Sequence, residues 1–107
     1  MIIISEVVYD EIDDYVNYLI SSGETTQKRA FVKRDLMIHA LRSSLGSIVT
    51  HRLSPYVELG NDTGCLLYVY KDPKSKTQWG FAYKRFDNHA IVYYMKNLKL
   101  VKYRKDY

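Results

Sequence analysis

Aromatic and cationic side chains interleave through the second half of the chain, and that pairing is the one pattern in it suited to nucleic-acid chemistry. Most of the eleven tyrosines, together with Trp79, follow residue 55 and alternate with lysines. Rings of this kind stack on bases while ammonium groups hold phosphates, which makes Trp79 and Lys84 candidate nucleic-acid contacts. Basic residues are densest near the C-terminus, where Lys96, Lys99, Lys102, Arg104 and Lys105 surround Tyr103 and would attract a phosphate backbone. Each feature also has an explanation without a ligand. Tyrosine favours strands for packing reasons, and a basic terminus keeps a chain in solution.

Other chemistry is sparse. His89 stands beside a turn, where it would be wet and able to exchange a proton near neutrality, although a turn histidine needs no such role. There is no Gly-rich phosphate loop, nucleophile elbow or Cys–His arrangement, and Asp13-Asp14 reads as the wet side of an acidic helix. The stretch Trp79 to Phe86 is similar to the RNP1 pattern of RNA-recognition motifs. That fold places a strand–helix–strand unit on each side of its hairpin, and here two helices come consecutively, so the likeness does not extend to the fold. The single cysteine, Cys65, excludes an intrachain disulfide, and His39, His51 and His89 are too scattered for a zinc site. The expectation is a reducing, cytoplasmic setting with no metal and no cofactor. Met1 to Ile4 is too short an apolar run for a secretion signal and nothing reaches membrane-spanning length, so no membrane partner is expected.

With 107 residues, 47% of them hydrophobic, the chain can build one core and reads as a single domain over 1–107, with residues 97–107 as a basic, partly ordered tail. Its net charge of +4 conceals a segregation: residues 1–24 carry six acidic groups and no Lys or Arg, and the basic excess lies beyond them. A basic surface suits phosphates or an acidic protein, while ion pairing between the two halves accounts for the same charges without either.

The elements that must position these residues follow from periodicity. Ile2 to Ile4 is a β-branched strand. Ser5 is placed to cap a helix whose apolar stripe is Val8, Ile12, Tyr15, Val16, Leu19 and Ile20, ended by Ser21-Ser22-Gly23. Thr25 or Thr26 caps a second helix with the stripe Ala30, Phe31, Met37, Ile38, Leu41 and Leu45, stopped by Gly46. The short connection makes the two an antiparallel hairpin. Residues 47–64 read as a loop, with brief pairing open at Val49 to Leu53 or Tyr56 to Leu59. Strands are expected at Cys65 to Lys71, Thr77 to Phe86 and Ala90 to Lys96. A turn at 72–76 joins the first two and a tight Asp87-Asn88 reversal joins the last two, the latter using the left-handed conformation those residues tolerate. The result is an α+β chain, β-α-α-β-β-β. Its N-terminal strand and helical hairpin pack on one face of an antiparallel sheet, and the opposite face stays open to solvent or ligand.

Strand, helical hairpin, loop and three-stranded meander, in this order and at this length, resemble the RelE/ParE superfamily of type II toxin–antitoxin toxins from Ile2 to about Val101. The resemblance is carried by the Tyr9-x-x-Ile12-x-x-Tyr15-Val16 face, Arg52-Leu53-Ser54-Pro55, Trp79 with Tyr83, Asp87-Asn88, and Ile91 to Met95. It implies the growth-arresting toxin of a two-gene module, held in a hetero-oligomer by a cognate antitoxin. The target would be messenger RNA on the ribosome, cut by an mRNA interferase, or DNA gyrase, poisoned without catalysis. The cutting branch clusters cations on the exposed sheet face and uses an acid/base near the C-terminus. In this chain the family's strand cations fall near Leu67, Val69 and Gly80, which carry no charge. A nuclease would therefore use a rearranged catalytic group of Lys96, Lys99 and Tyr103, with Lys84, Lys102, Arg104 and Trp79 as nucleic-acid contacts. A third reading is a non-catalytic RNA-binding or interaction module built on Trp79, Phe81, Tyr83 and the tail.

Overall fold

The structure is a computed structural model that describes residues 1–46, 51–73 and 77–101. It is α+β: β1 (Ile2–Ile4), α1 (Glu6–Ser21), α2 (Gln27–Leu45), β2 (Leu66–Lys71), β3 (Gln78–Arg85) and β4 (Ala90–Asn97). The four strands form one mixed sheet in the order β1-β4-β3-β2, with β1 parallel to β4 and the other pairs antiparallel. The expected 72–76 turn and the start of the expected 49–53 pairing fall partly outside the described residues, and Lys102 to Lys105 fall wholly outside them.

Both helices bury a stripe against the sheet, α1 lying on β4 and α2 on β2. Val8, Ile12, Val16 and Leu19 are buried from α1, with Tyr15 and Ile20 at the margin of the core. From α2 the buried set is Ala30, Met37, Leu41 and Leu45, with Ile38 packed beside them, but Phe31 is 48% exposed. At roughly 100° per residue Phe31 lies a little over a quarter-turn from Ala30, on the side where only Ile38, one heptad on, reaches the core. Arg42 fastens α2 to the N-terminal elements, donating to the Ile2 carbonyl and to Tyr9 Oη, both at 3.1 Å.

The caps divide. Thr26 accepts from the Arg29 N–H as a helix cap should. The Ser5 hydroxyl instead donates to the Tyr93 carbonyl at 3.3 Å, and α1 starts without a side-chain cap. Tyr93 is the extra residue of a β-bulge, since Ala82 faces Tyr94 whereas Tyr83 faces Val92. The bulge leaves its carbonyl outside the ladder, and Ser5 satisfies it. The β3–β4 connection also differs from expectation: no described non-glycine residue has positive φ. The strands stop at Arg85 and Ala90, and Phe86 N–H donates to the His89 carbonyl at 2.7 Å. A four-residue connection of this kind does not need the left-handed pair that a two-residue turn demands.

The second face of the sheet is covered rather than open. Leu53 bridges to Leu66, Ser54 N–H donates to the Cys65 carbonyl, and Leu67 N–H donates to the Arg52 carbonyl, so the segment entering from residue 52 runs beside β2. Two short 3-10 turns, Val57–Leu59 and Asn61–Thr63, then fold over the strands. Buried Ser54 holds them, its hydroxyl accepting from Tyr56 N–H and its carbonyl accepting from Asn61 Nδ2 at 2.6 Å. Tyr56, Leu59, Cys65 and Ala82 form a second core there, with Leu67, Tyr93, Leu98 and Val101 around it. Gly60, at φ +76°, turns the chain where a Cβ would lie 2.5 Å from Cys65 Sγ.

Gly80 is the contact point of this second core. A Cβ there would stand 2.6 Å from Leu98 Cδ2 and 2.7 Å from Leu59 Cδ1. Gly80→Ala is expected to lose about 1–3 kcal/mol in urea unfolding through overpacking, with part of the loss recovered by adding Leu98→Ala. On an uncovered face the same change would be neutral or stabilising, because alanine is the better strand residue.

Candidate functional site

The residues singled out for nucleic-acid chemistry do not form one group. Lys84 faces Ile91 across the β3–β4 ladder while Lys96 faces Gly80, which separates the two by about 13 Å of strand. Lys96 Nζ lies 3.7 Å from Glu11 Oε1, so its charge is partly matched by α1. Lys99 is exposed in the turn Leu98–Leu100, where its backbone N–H donates to Asn97 Oδ1. Tyr103, Lys102 and Arg104 lie outside the described residues. Trp79, Phe81 and Tyr83 are 7%, 0% and 0% exposed beneath the helices. In this arrangement their ring faces meet the core rather than solvent, unlike the exposed platform expected for base stacking.

What the sheet end near Trp79 does build is a cavity of about 600 Å³ between α1, the start of α2 and the ends of β3 and β4. Its volume lies within the range of small-ligand sites. Its base is aromatic: the Tyr15 and Trp79 ring centroids are 4.7 Å apart at 54°, and Tyr18 stands beside them. Its lining carries four carboxylates, Glu11, Asp14, Glu24 and Glu58, against the two ammonium groups of Lys33 and Lys96. Lys33 is already engaged, 2.8 Å from the buried carboxylate of Asp72, to which Tyr15 Oη also donates at 3.3 Å. Burial would lower the Lys33 pKa, but the Asp72 hydrogen bond and the charges of Tyr15 and Asp72 outweigh it, and the net direction is upward. The Trp79 indole N–H is buried without a hydrogen-bond acceptor among the described residues. An unmet buried donor of this kind costs about 1–3 kcal/mol.

A second polar group lies at the opposite end of β3. His51 Nδ1 is 2.6 Å from Tyr83 Oη, its backbone N–H donates to the same oxygen at 3.4 Å, and its ring packs on Tyr68. Burial and the nearby Arg85 charge lower the His51 pKa below 6.5. A neutral ring protonated at Nε2 is the tautomer that lets Nδ1 accept a hydrogen bond from the Tyr83 hydroxyl. Arg85 in turn donates to the Leu45 carbonyl at 2.9 Å, closing the C-terminus of α2. Sequence reading passed over His51 in favour of His89, whose ring simply stacks on Phe86. No local signal marks His51, because its partner is 32 positions away.

The chain was compared with protein-family models, curated proteins and solved structures. No match was found. Among the described residues there is no group of side chains able to hold a metal ion, and no helix is long and apolar enough to cross a membrane. The described polar groups are arranged to bind and to fasten elements together.

His51 generates a pH prediction. Its folded pKa is depressed, so its contribution to stability is complete above the unfolded value of 6.5 and is lost as pH falls through the folded value. Histidine-ring NMR should find the His51 midpoint below 6.5, and Arg85→Gln should raise it. A midpoint unmoved by that change would remove Arg85 as a cause.

Proposed function

We propose that the chain is the toxin component of a two-gene toxin–antitoxin module of the RelE/ParE type, and that it acts by occupying its target rather than by cutting RNA. The toxin reading is supported by the order of elements, in which strand, helical hairpin, covering segment and antiparallel meander follow one another as the resemblance requires. The non-cutting reading is carried by one observation. Of the three positions where that resemblance would put phosphate-orienting cations, Gly80 and Leu67 pack with Leu59 and Leu98, and Val69 is 40% exposed and uncharged. Leucine side chains fill the part of that surface over Gly80, and removing one to admit a charged group would expose a buried apolar cluster.

Phe31, Val32 and Leu36 are each about half exposed on the outer side of α2, and this apolar surface is the one an antitoxin would cover. A gyrase-type target fits the rest, since blocking an enzyme needs shape and charge without a catalytic group.

Induced expression in a bacterial host is expected to arrest growth, to be relieved by a short adjacent reading frame, and to reduce DNA supercoiling while messages stay intact. Codon-specific message cleavage, abolished by Lys99→Ala or Tyr103→Phe, would replace blocking with a nuclease. Unimpaired growth on full expression would remove the toxin reading itself.

A further inference from the structure

The two helices turn faces of opposite charge away from the sheet, and each face is complementary to the other. On α1 the exposed residues Glu6, Asp10 and Asp13 fall within about 60° of arc at roughly 100° per residue, and the helix holds no Lys or Arg. On α2 an arc of about 100° carries exposed Lys28, His39 and Arg42 together with Phe31 and Val32. The one carboxylate of α2, Asp35, lies in the same arc and is already 3.9 Å from Arg34. Glu6, Asp10, Lys28 and Arg42 have no ion pair among the described residues. Large apolar side chains stand exposed among these charges, Val7 and Tyr18 on α1 and Phe31, Val32 and Leu36 on α2.

A partner for such a surface needs a basic half and an acidic half side by side, and the chain itself has both. Two copies stacked hairpin to hairpin about a two-fold axis have two arrangements. With the axis across the helices, α1 meets α1 and α2 meets α2, like charge on like. With the axis along the helices, α1 of each copy lies on α2 of the other, and the favourable contact is made twice. Helices of 16 and 19 residues side by side present a face of about 25 by 20 Å, so two copies cover about 1,000 Å², which reaches the lower bound for a specific interface. We infer that the outer face of the helical hairpin is a self-association surface, on which α1 of one copy seats on α2 of a second copy of this chain. The inference does not rest on the toxin reading, and an antitoxin covering Phe31, Val32 and Leu36 would compete with the second copy.

Sedimentation of the full chain is expected to show a monomer–dimer equilibrium with a dissociation constant on the order of 10 μM, weakened as salt is raised. Glu6→Lys with Asp10→Lys, and separately Lys28→Glu with His39→Glu, all at exposed positions, should each weaken self-association at least about tenfold. An equimolar mixture of the two variants should recover a heterodimer within a few-fold of the wild-type constant, because one contact is then reversed in both partners and the other is native. Recovery is a result that misfolding of either variant cannot give. A chain still monomeric at about 1 mM would leave the face to a different protein and overturn the inference. So would a dimer unmoved by both charge reversals, or a mixture that associates no more tightly than its components.

Discussion

Strand β3 alternates large and small side chains, Trp79-Gly80-Phe81-Ala82-Tyr83, and all five are buried. The rest of the architecture follows from having to cover that strand on two sides. The three rings occupy the space beneath α1 and α2, where aromatic volume fills the gap between helix and sheet. Gly80 and Ala82 leave the other side low enough for Leu59 and Leu98 to approach the backbone. Neither cover can be removed cheaply. A half-covered β3 would expose apolar surface at about 25 cal/mol per Å².

The charge segregation resolves into fastenings between elements. Asp13 on α1 receives Arg34 of α2 at 2.9 Å, Glu11 approaches Lys96 of β4, and Lys33 meets Asp72 after β2. The first two pairs are largely exposed and contribute on the order of 1 kcal/mol or less. Asp72, 2% exposed, differs in kind. A buried carboxylate without its ammonium and tyrosine donors would carry an uncompensated desolvation cost, so the pair specifies how α2 sits over β2 even where it adds little net stability. The acidic side of α1 left over after these contacts is what faces the cavity.

Much of the fold was legible because local periodicity and tertiary burial agree. The helical stripes apart from Phe31, the cap at Thr26 out of the expected Thr25 or Thr26, the strands after residue 65 and the meander all agree with the structure. The misreadings share a cause, which is that a distant partner decided the outcome. Ser5 left its capping role for the bulged Tyr93 carbonyl, and Phe31 is 48% exposed although the sequence placed it in the stripe of α2. Residues 53–64 looked irregular because their order comes from 3-10 turns and one buried serine, neither of which has a periodic signature. The small residues at 80 and 82 were the available hint that something packs there.

The candidate site was less legible for the same reason. Aromatic and basic residues alternating along a strand look identical whether the rings face solvent or a helix, and only the second layer decides. Once α1 and α2 bury the rings, lysines on β3 and β4 are separated by the ladder's own spacing and cannot converge on one phosphate. The concave surface that remains is formed where the sheet outruns its helical cover, at the end holding Trp79 and Asn97. There the acidic helix meets an aromatic base, and the local field is opposite in sign to the net charge. An acidic end and a basic excess elsewhere are therefore compatible in one small domain, because at physiological salt a charge is screened beyond about 8 Å.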